Sequence, residues 1–254
     1  MRSLDLNKEL DRILDFIRNY LHSSGFEKVV LGLSGGVDSA VTAALAVRAL
    51  GRQNVLAAMM PYVSSHPDSL NDALKLAEQL KIEARTVLIS PLVDYYFDEY
   101  DPQANSLRRG NWMARLRMNV LYDLTAKEKA LVIGTSNRTE LLVGYFTQFG
   151  DSACAFEPIG HLYKTEVWQL AALLGIPEKI ITKIPTADLW QGQTDEADLG
   201  MRYAELDEII YELTELDLDL AGSLNLKYPR EQYQKVERMI RASAFKRQLP
   251  PVLE

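Results

Sequence analysis

The run KVVLGLSGGVDS, residues 28–39, constrains this chain more than any other stretch. Its apolar, β-branched start reads as a buried strand. Residues 37–51 then read as a helix rich in Ala and Leu, stopped by Gly51. Adjacent glycines at the junction allow positive φ and a close approach of ligand to backbone. The free amides of a helix's first turn wrap an anion, and the macrodipole adds to the attraction. Ser34 and Ser39 bring hydroxyl donors. Asp38 would repel a phosphate, a conflict that a bridging Mg²⁺ resolves, with Asp38 as oxygen ligand. The loop lacks the Gly-Lys-Ser/Thr of a Walker A motif and the G-x-G-x-x-G of a dinucleotide fingerprint. The plainer alternative is a strand-to-helix turn with a capping Asp.

The rest of the chain continues the alternation. An amphipathic helix over 4–21 carries Leu6, Leu10, Ile13, Leu14, Ile17 and Leu21 on one stripe. Strands are expected at 54–61, 84–89 and 130–135. Helices are expected at 68–80, capped by Asp68 or Ser69, at 91–129 with a break near 105–111, and at 137–144 and 165–175. Residues 145–163 carry aromatics without a period and read as an ordered loop. Two more helices are expected at about 200–217 and 229–244. The predicted class is α/β, a parallel sheet covered by helices on both faces. No repeat or linker divides the chain, so one domain over 1–254 is expected, with a core at 28–190 and a helical region at 198–245.

Composition excludes several chemistries. The single cysteine, Cys154, rules out an intramolecular disulfide, a cysteine-rich zinc site and paired-thiol chemistry. Three scattered histidines make no metal motif. A net charge of -7 disfavours a nucleic-acid partner. No apolar run approaches the ~18 residues of a membrane span, and acids among the N-terminal apolar residues make a poor signal peptide. A reducing, cytoplasmic setting is expected.

The SGGVDS string resembles the pyrophosphate loop of the ATP pyrophosphatase superfamily, whose Rossmann-like members adenylate a carbonyl or carboxyl oxygen and then displace AMP. Four segments, at 110–125, 131–151, 157–177 and 185–200, occur in one order with Ala244-Phe245-Lys246-Arg247-Gln248. Over nearly the whole chain this pattern is similar to NAD synthetase, in the short form that takes ammonia directly. The resemblance implies deamido-NAD, ATP and ammonia as substrates, Mg²⁺ as cofactor and a homodimer. It places Gly32, Leu33, Ser34, Gly35, Gly36, Val37, Asp38, Ser39, Thr135, Lys164 and Thr186 at ATP. Asp38 and Glu140 match Mg²⁺ ligands, and Lys164 offsets phosphate charge. Arg115, Gln148, Ala155 and Lys246 match substrate positions, and Asp151 is placed to hold or deprotonate ammonium.

Plainer readings stand beside these. The plainer alternatives are a solvated surface carboxylate for Glu140, an exposed cation before a helix for Lys164 and a turn residue after Gly150 for Asp151. Arg115 and Arg117, two apart on a helix, point in different directions, so one of them is structural. Tyr145, Phe146 and Phe149 either stack on a nicotinate ring or anchor their loop. His161 reads as a loop hydrogen-bonder and Cys154 as a small buried side chain. Four positions depart from the family's usual residues: Met113 and Gln148 stand where Lys is common, Ala155 where Asp is common, and Phe245 in place of His. All four fall in segments tied to the dinucleotide rather than to ATP.

Overall fold

The computed structural model of the chain describes residues 2–220, 222 and 225–253; residues 221, 223 and 224 of the expected helical region, and residues 1 and 254, lie outside these. Four parallel strands form one sheet in the order β3-β2-β1-β4: β1 (Lys28–Gly32), β2 (Val55–Met59), β3 (Glu83–Thr86) and β4 (Ala130–Val132). In register, Val29 stands between Val55 on one side and Leu131 on the other. The period-2 alternation sorts the strand side chains into two cores. Val29, Leu31, Val55, Ala57 and Met59 pack beneath α1 (Leu6–Ser24), α2 (Val37–Leu50), α3 (Pro67–Leu80) and α7 (Lys164–Leu174). Val30, Leu56 and Ala58 pack beneath α4 (Ser90–Tyr100) and α5 (Ser106–Glu128). Both faces are covered, as the strand composition requires.

A third cluster joins α6 (Arg138–Val143) to α10 (Tyr203–Thr214) and α11 (Arg230–Ala242) around Tyr163, Tyr203 and Tyr233, all fully buried. It lies beside the sheet and supports the start of α7. Two short helices, α8 (Glu178–Ile181) and α9 (Asp195–Leu199), bracket a segment that contacts α3 and α5, where Asp188 accepts from His66 N and Leu189 packs against Gly110. Neither announces itself in the sequence, because four or five residues show no helical period.

Several boundaries differ from expectation. Helix α1 runs a turn further, to a left-handed Gly25 (φ 74). Strand β3 stops at Thr86 rather than 89, since its neighbour β2 runs into Pro61, which has no N–H for the ladder. The cap of α3 is the His66 ring, whose Nδ1 accepts from Asp68 N at 3.2 Å, with Pro67 in the first turn. The break between α4 and α5 falls at 101–105, not at 105–111: Asn105 caps α5 and Gly110 lies inside it. Gly110 serves packing there, because a Cβ would sit 3.0 Å from Leu189 Cδ1.

Candidate active site

Strand order reverses between β1 and β4, and the crevice at the carboxyl ends of such strands is where open α/β sheets bind ligands. A cavity of about 750 Å³ opens there. Its floor is the loop after β1. Gly35 has φ +79, and a Cβ there would lie 2.2 Å from the Ser69 carbonyl oxygen, so only glycine fits. Ser34 and Ser39 hydroxyls lie 3.1 Å apart, and Gly36 N donates to Ser34 Oγ at 3.2 Å. Gly36 caps α2 with no side chain over the first-turn amides. Those amides are left for an anion. Gly32, Leu33, Ser34, Gly36, Val37 and Asp38 line the cavity, as do Ser39, Thr135 and Thr186.

Lys164 is not an exposed cation but the buried first residue of α7, its side chain 2% exposed. Its Nζ donates to Asp38 Oδ2 at 2.5 Å and to Glu140 Oε1 at 3.1 Å. Burial alone would push this ammonium's pKa down; the Asp38 and Glu140 carboxylates outweigh it, and the net shift is up. Glu140, at N3 of α6, shares a capping box with Asn137, whose Nδ2 also donates to Asp38 Oδ1 at 2.9 Å. Burial raises the Glu140 carboxyl despite Lys164, and Asp38 and Asp195 add to the rise. Glu140 is therefore part of a built cluster, not a solvated surface acid. The backbone beneath is pinned by Asp207 of α10. This carboxylate accepts from Thr139 Oγ1 (2.5 Å) and Thr165 N (2.8 Å), and burial pushes its pKa up to about 6.

Asp38 and Glu140 put carboxylate oxygens at the cavity wall beside the anion loop, a donor set that suits a hard divalent cation arriving with a polyphosphate. Among the described residues no group of three ligating side chains is assembled. Mg²⁺ takes one or two carboxylates and completes its shell with phosphate oxygens and water, a number that Asp38 and Glu140 supply.

The expected dinucleotide positions divide. Lys246 reaches the cavity and donates to the Gly144 and Phe146 carbonyls at 2.8 and 2.9 Å. Arg115 lies on the exposed side of α5, outside the cavity, and donates to the Gln148 carbonyl at 3.3 Å. Arg117 is the arginine that enters the cavity, where its Nε donates to Met60 O at 3.0 Å and burial lowers its pKa. Gln148 and Ala155 do not line the cavity: Ala155 is tied by its backbone to Val132 O (2.9 Å) and Tyr20 Oη (2.7 Å). Met113 is packed in the core at 1% exposure, and Phe245 points outward at 60%.

Asp151 lines the cavity, and its Oδ1 accepts from Thr147 N at 2.9 Å; crowding by protein raises the carboxyl's pKa. Tyr145 is held by Asp195 and Asp198 (3.1 and 2.8 Å), and Phe146 receives Lys246 Nζ 5.1 Å above its ring, so both rings anchor the loop as well as line the cavity. Phe149 is 56% exposed and does not line the cavity. Burial, with Glu157 adding, holds the Cys154 thiol protonated, and His161 bonds Glu9 at 2.6 Å. Asn137, Asp195, Tyr203 and Arg117 are the site residues that sequence reasoning passed over or left open.

A doubly covered parallel sheet, a glycine-rich anion loop at its switch point and a buried lysine among carboxylates define a nucleotide-using enzyme of the ATP pyrophosphatase type. Residues 9–250 match the family model described as NAD synthase. A relative in Fusobacterium nucleatum, called NH(3)-dependent NAD(+) synthetase, is 49% identical over 98% of this chain and 97% of its own length. The NH3-dependent NAD synthetase of Campylobacter jejuni, solved with a nitrate ion, superposes with a TM-score of 0.84 at 37% identity, covering 99% of this chain and 100% of that one. The NMN synthetase of Francisella tularensis superposes at 0.87 with 33% identity over 99% of both chains. The chain belongs to the NAD synthase family and is a ligase. No described helix is long and apolar enough to cross a membrane.

Proposed function

We propose that this chain uses ATP to amidate deamido-NAD with ammonia, giving NAD, AMP and pyrophosphate. The observation that carries this reading is Lys164, buried between Asp38 and Glu140 at the edge of the anion loop. The nicotinate carboxylate attacks the α-phosphorus of ATP, and pyrophosphate departs with the electron pair of the broken bond. Ammonia then attacks the acyl carbon of the adenylate, AMP leaves, and the amide nitrogen sheds a proton.

The first-turn amides of α2 and the hydroxyls of Ser34 and Ser39 hold the phosphates. Thr135 and Thr186 flank them. Lys164 orients Asp38 and Glu140 and stabilises charge on the phosphates. Asp38 and Glu140 would hold Mg²⁺, which when bound supplies Lewis-acid stabilisation of phosphate charge. Asp151, its carboxyl raised, holds ammonium beside the adenylate and takes its proton. Lys246 fixes the 144–146 wall. Arg115 and Gln148 lie together outside this cavity, where a second copy in a homodimer would bring them to the far half of a dinucleotide. The setting proposed is the cytoplasm, where these substrates are handled.

The test mixes protein, ATP, Mg²⁺, deamido-NAD and ammonium and measures NAD and AMP. Stoichiometric formation of both, lost in Asp38→Ala, is the expected result. ATP cleavage that proceeds only with some other carboxylic acid overturns the substrate assignment.

A further inference from the structure

Lys183 sits on the segment between α8 and α9 and lines the same cavity as the anion loop. Its Nζ donates to Ser69 Oγ at 3.0 Å. Ser69 belongs to the first turn of α3, the turn whose carbonyl presses against Gly35. The Lys183 ammonium is thus one small side chain away from the phosphate loop.

Its surroundings neutralise it only in part, through a long contact. The neighbouring carboxylate, Asp72, has Oδ2 at 3.9 Å, too far for a hydrogen bond. That oxygen is buried and accepts none. Lys179 reaches Asp72 Oδ1 at 2.9 Å and Asp68 at 3.3 Å, so Asp72 is shared between Lys179 and the more distant Lys183. The Lys183 side chain remains 21% exposed. The other cations on the cavity wall are committed elsewhere: Lys164 to Asp38 and Glu140, Arg117 to the Met60 carbonyl, Lys246 to the 144–146 backbone.

We propose that Lys183 is the cation that receives the departing pyrophosphate. The inference rests on the reaction proposed above. As the carboxylate oxygen bonds to the α-phosphorus, the bond from that phosphorus to the bridging oxygen breaks. Its electron pair stays on that oxygen, now part of pyrophosphate. The charge so developed gains from a second cation beside Lys164, one held less tightly by protein carboxylates. Lys183 exchanges the Ser69 hydroxyl for a pyrophosphate oxygen, a swap of a neutral acceptor for a charged one.

Product inhibition of NAD formation by inorganic pyrophosphate tests this in the intact protein. Lys183→Gln should raise the pyrophosphate inhibition constant about tenfold or more, the effect of removing one charge-assisted hydrogen bond. Inhibition by AMP should stay as in the parent, and Lys183→Arg should restore most of the pyrophosphate effect. Ser69→Ala separates a ligand role from a structural one: it should leave pyrophosphate inhibition at least as strong, whereas a lysine that merely braces α3 would give it the Lys183→Gln phenotype. Unchanged pyrophosphate inhibition in Lys183→Gln, or equal weakening of AMP and pyrophosphate, overturns the proposal. If the parent protein makes no NAD, the reaction assignment fails instead, and calorimetric binding of Mg²⁺-pyrophosphate to parent and Lys183→Gln still decides the role of Lys183.

Discussion

Glu157 makes the cost of building this site measurable. Its carboxyl lies against Gly134, where a Cβ would fall 2.3 Å from it. Oε2 accepts from Ser136 N at 3.0 Å, while Oε1 is buried without a partner. Burial pushes the carboxyl from its usual 4.5 up to about 7, against the opposing hydrogen bond from Ser136. In the unfolded chain the group loses its proton near the usual value; in the fold it keeps the proton until about 7. Between these values the folded state binds more protons than the unfolded one, so the group's contribution falls as pH rises through that window and is fully unfavourable above it. The displacement corresponds to about 3 kcal/mol. Glu157→Gln keeps an acceptor for Ser136 N and removes the titration. Urea unfolding at about pH 5 should find parent and variant within about 1 kcal/mol, and at about pH 8 the variant should be more stable by about 3 kcal/mol. Parallel pH profiles for the two proteins would refute the reasoning, since a solvated carboxylate produces no such divergence.

Gly35→Ala forces a Cβ onto a backbone with φ +79 and into the Ser69 carbonyl, so it should abolish ATP turnover and lower the melting temperature; pyrophosphate release and a thermal scan read both. Lys164→Met leaves Asp38 and Glu140 buried without their cation. It should cost about 3–5 kcal/mol by urea titration, partly recovered in Lys164→Met with Glu140→Gln. Lys246→Met frees the 144–146 backbone and should raise KM for deamido-NAD about tenfold with KM for ATP nearly unchanged; equal rises in both would place Lys246 elsewhere in the mechanism.

What was legible in the sequence follows from how local the physics is. The anion loop could be read because strand, glycine turn and helix cap lie within a dozen consecutive residues and each obeys a short-range rule. The parallel, doubly covered sheet was legible for the same reason: apolar strands alternate with helical patterns. The ion cluster was not readable as geometry. Asp38 and Lys164 are 126 positions apart and meet only because Asp207, from yet another helix, clamps the start of α7. Resemblance supplied their roles, but not the burial that makes Lys164 a fixture rather than a surface cation. The arginine pair shows a different limit. Residues two apart on a helix differ in direction by about 200°, so one of them had to miss the cavity, but which one depends on the rotation of α5. That rotation is set by tertiary packing, including Leu189 against Gly110, and it turns Arg117 inward.

The four departures from the family's usual residues can be weighed by place. None of Met113, Gln148, Ala155 and Phe245 lines the cavity, whereas nearly all the expected ATP positions do. A lost charge outside the cavity acts less on the anion site than Lys164, its carboxylates and the α2 amides, which are the charges and dipoles at that site. In the reaction proposed above, such losses would act on the hold on the distant half of the dinucleotide. The proposed reaction therefore separates physically: the residues proposed for adenylation line one chain's cavity. Arg115 and Gln148, proposed for the far end of the substrate, lie on the outer face of α5 and the 145–155 loop, where Arg115 donates to the Gln148 carbonyl.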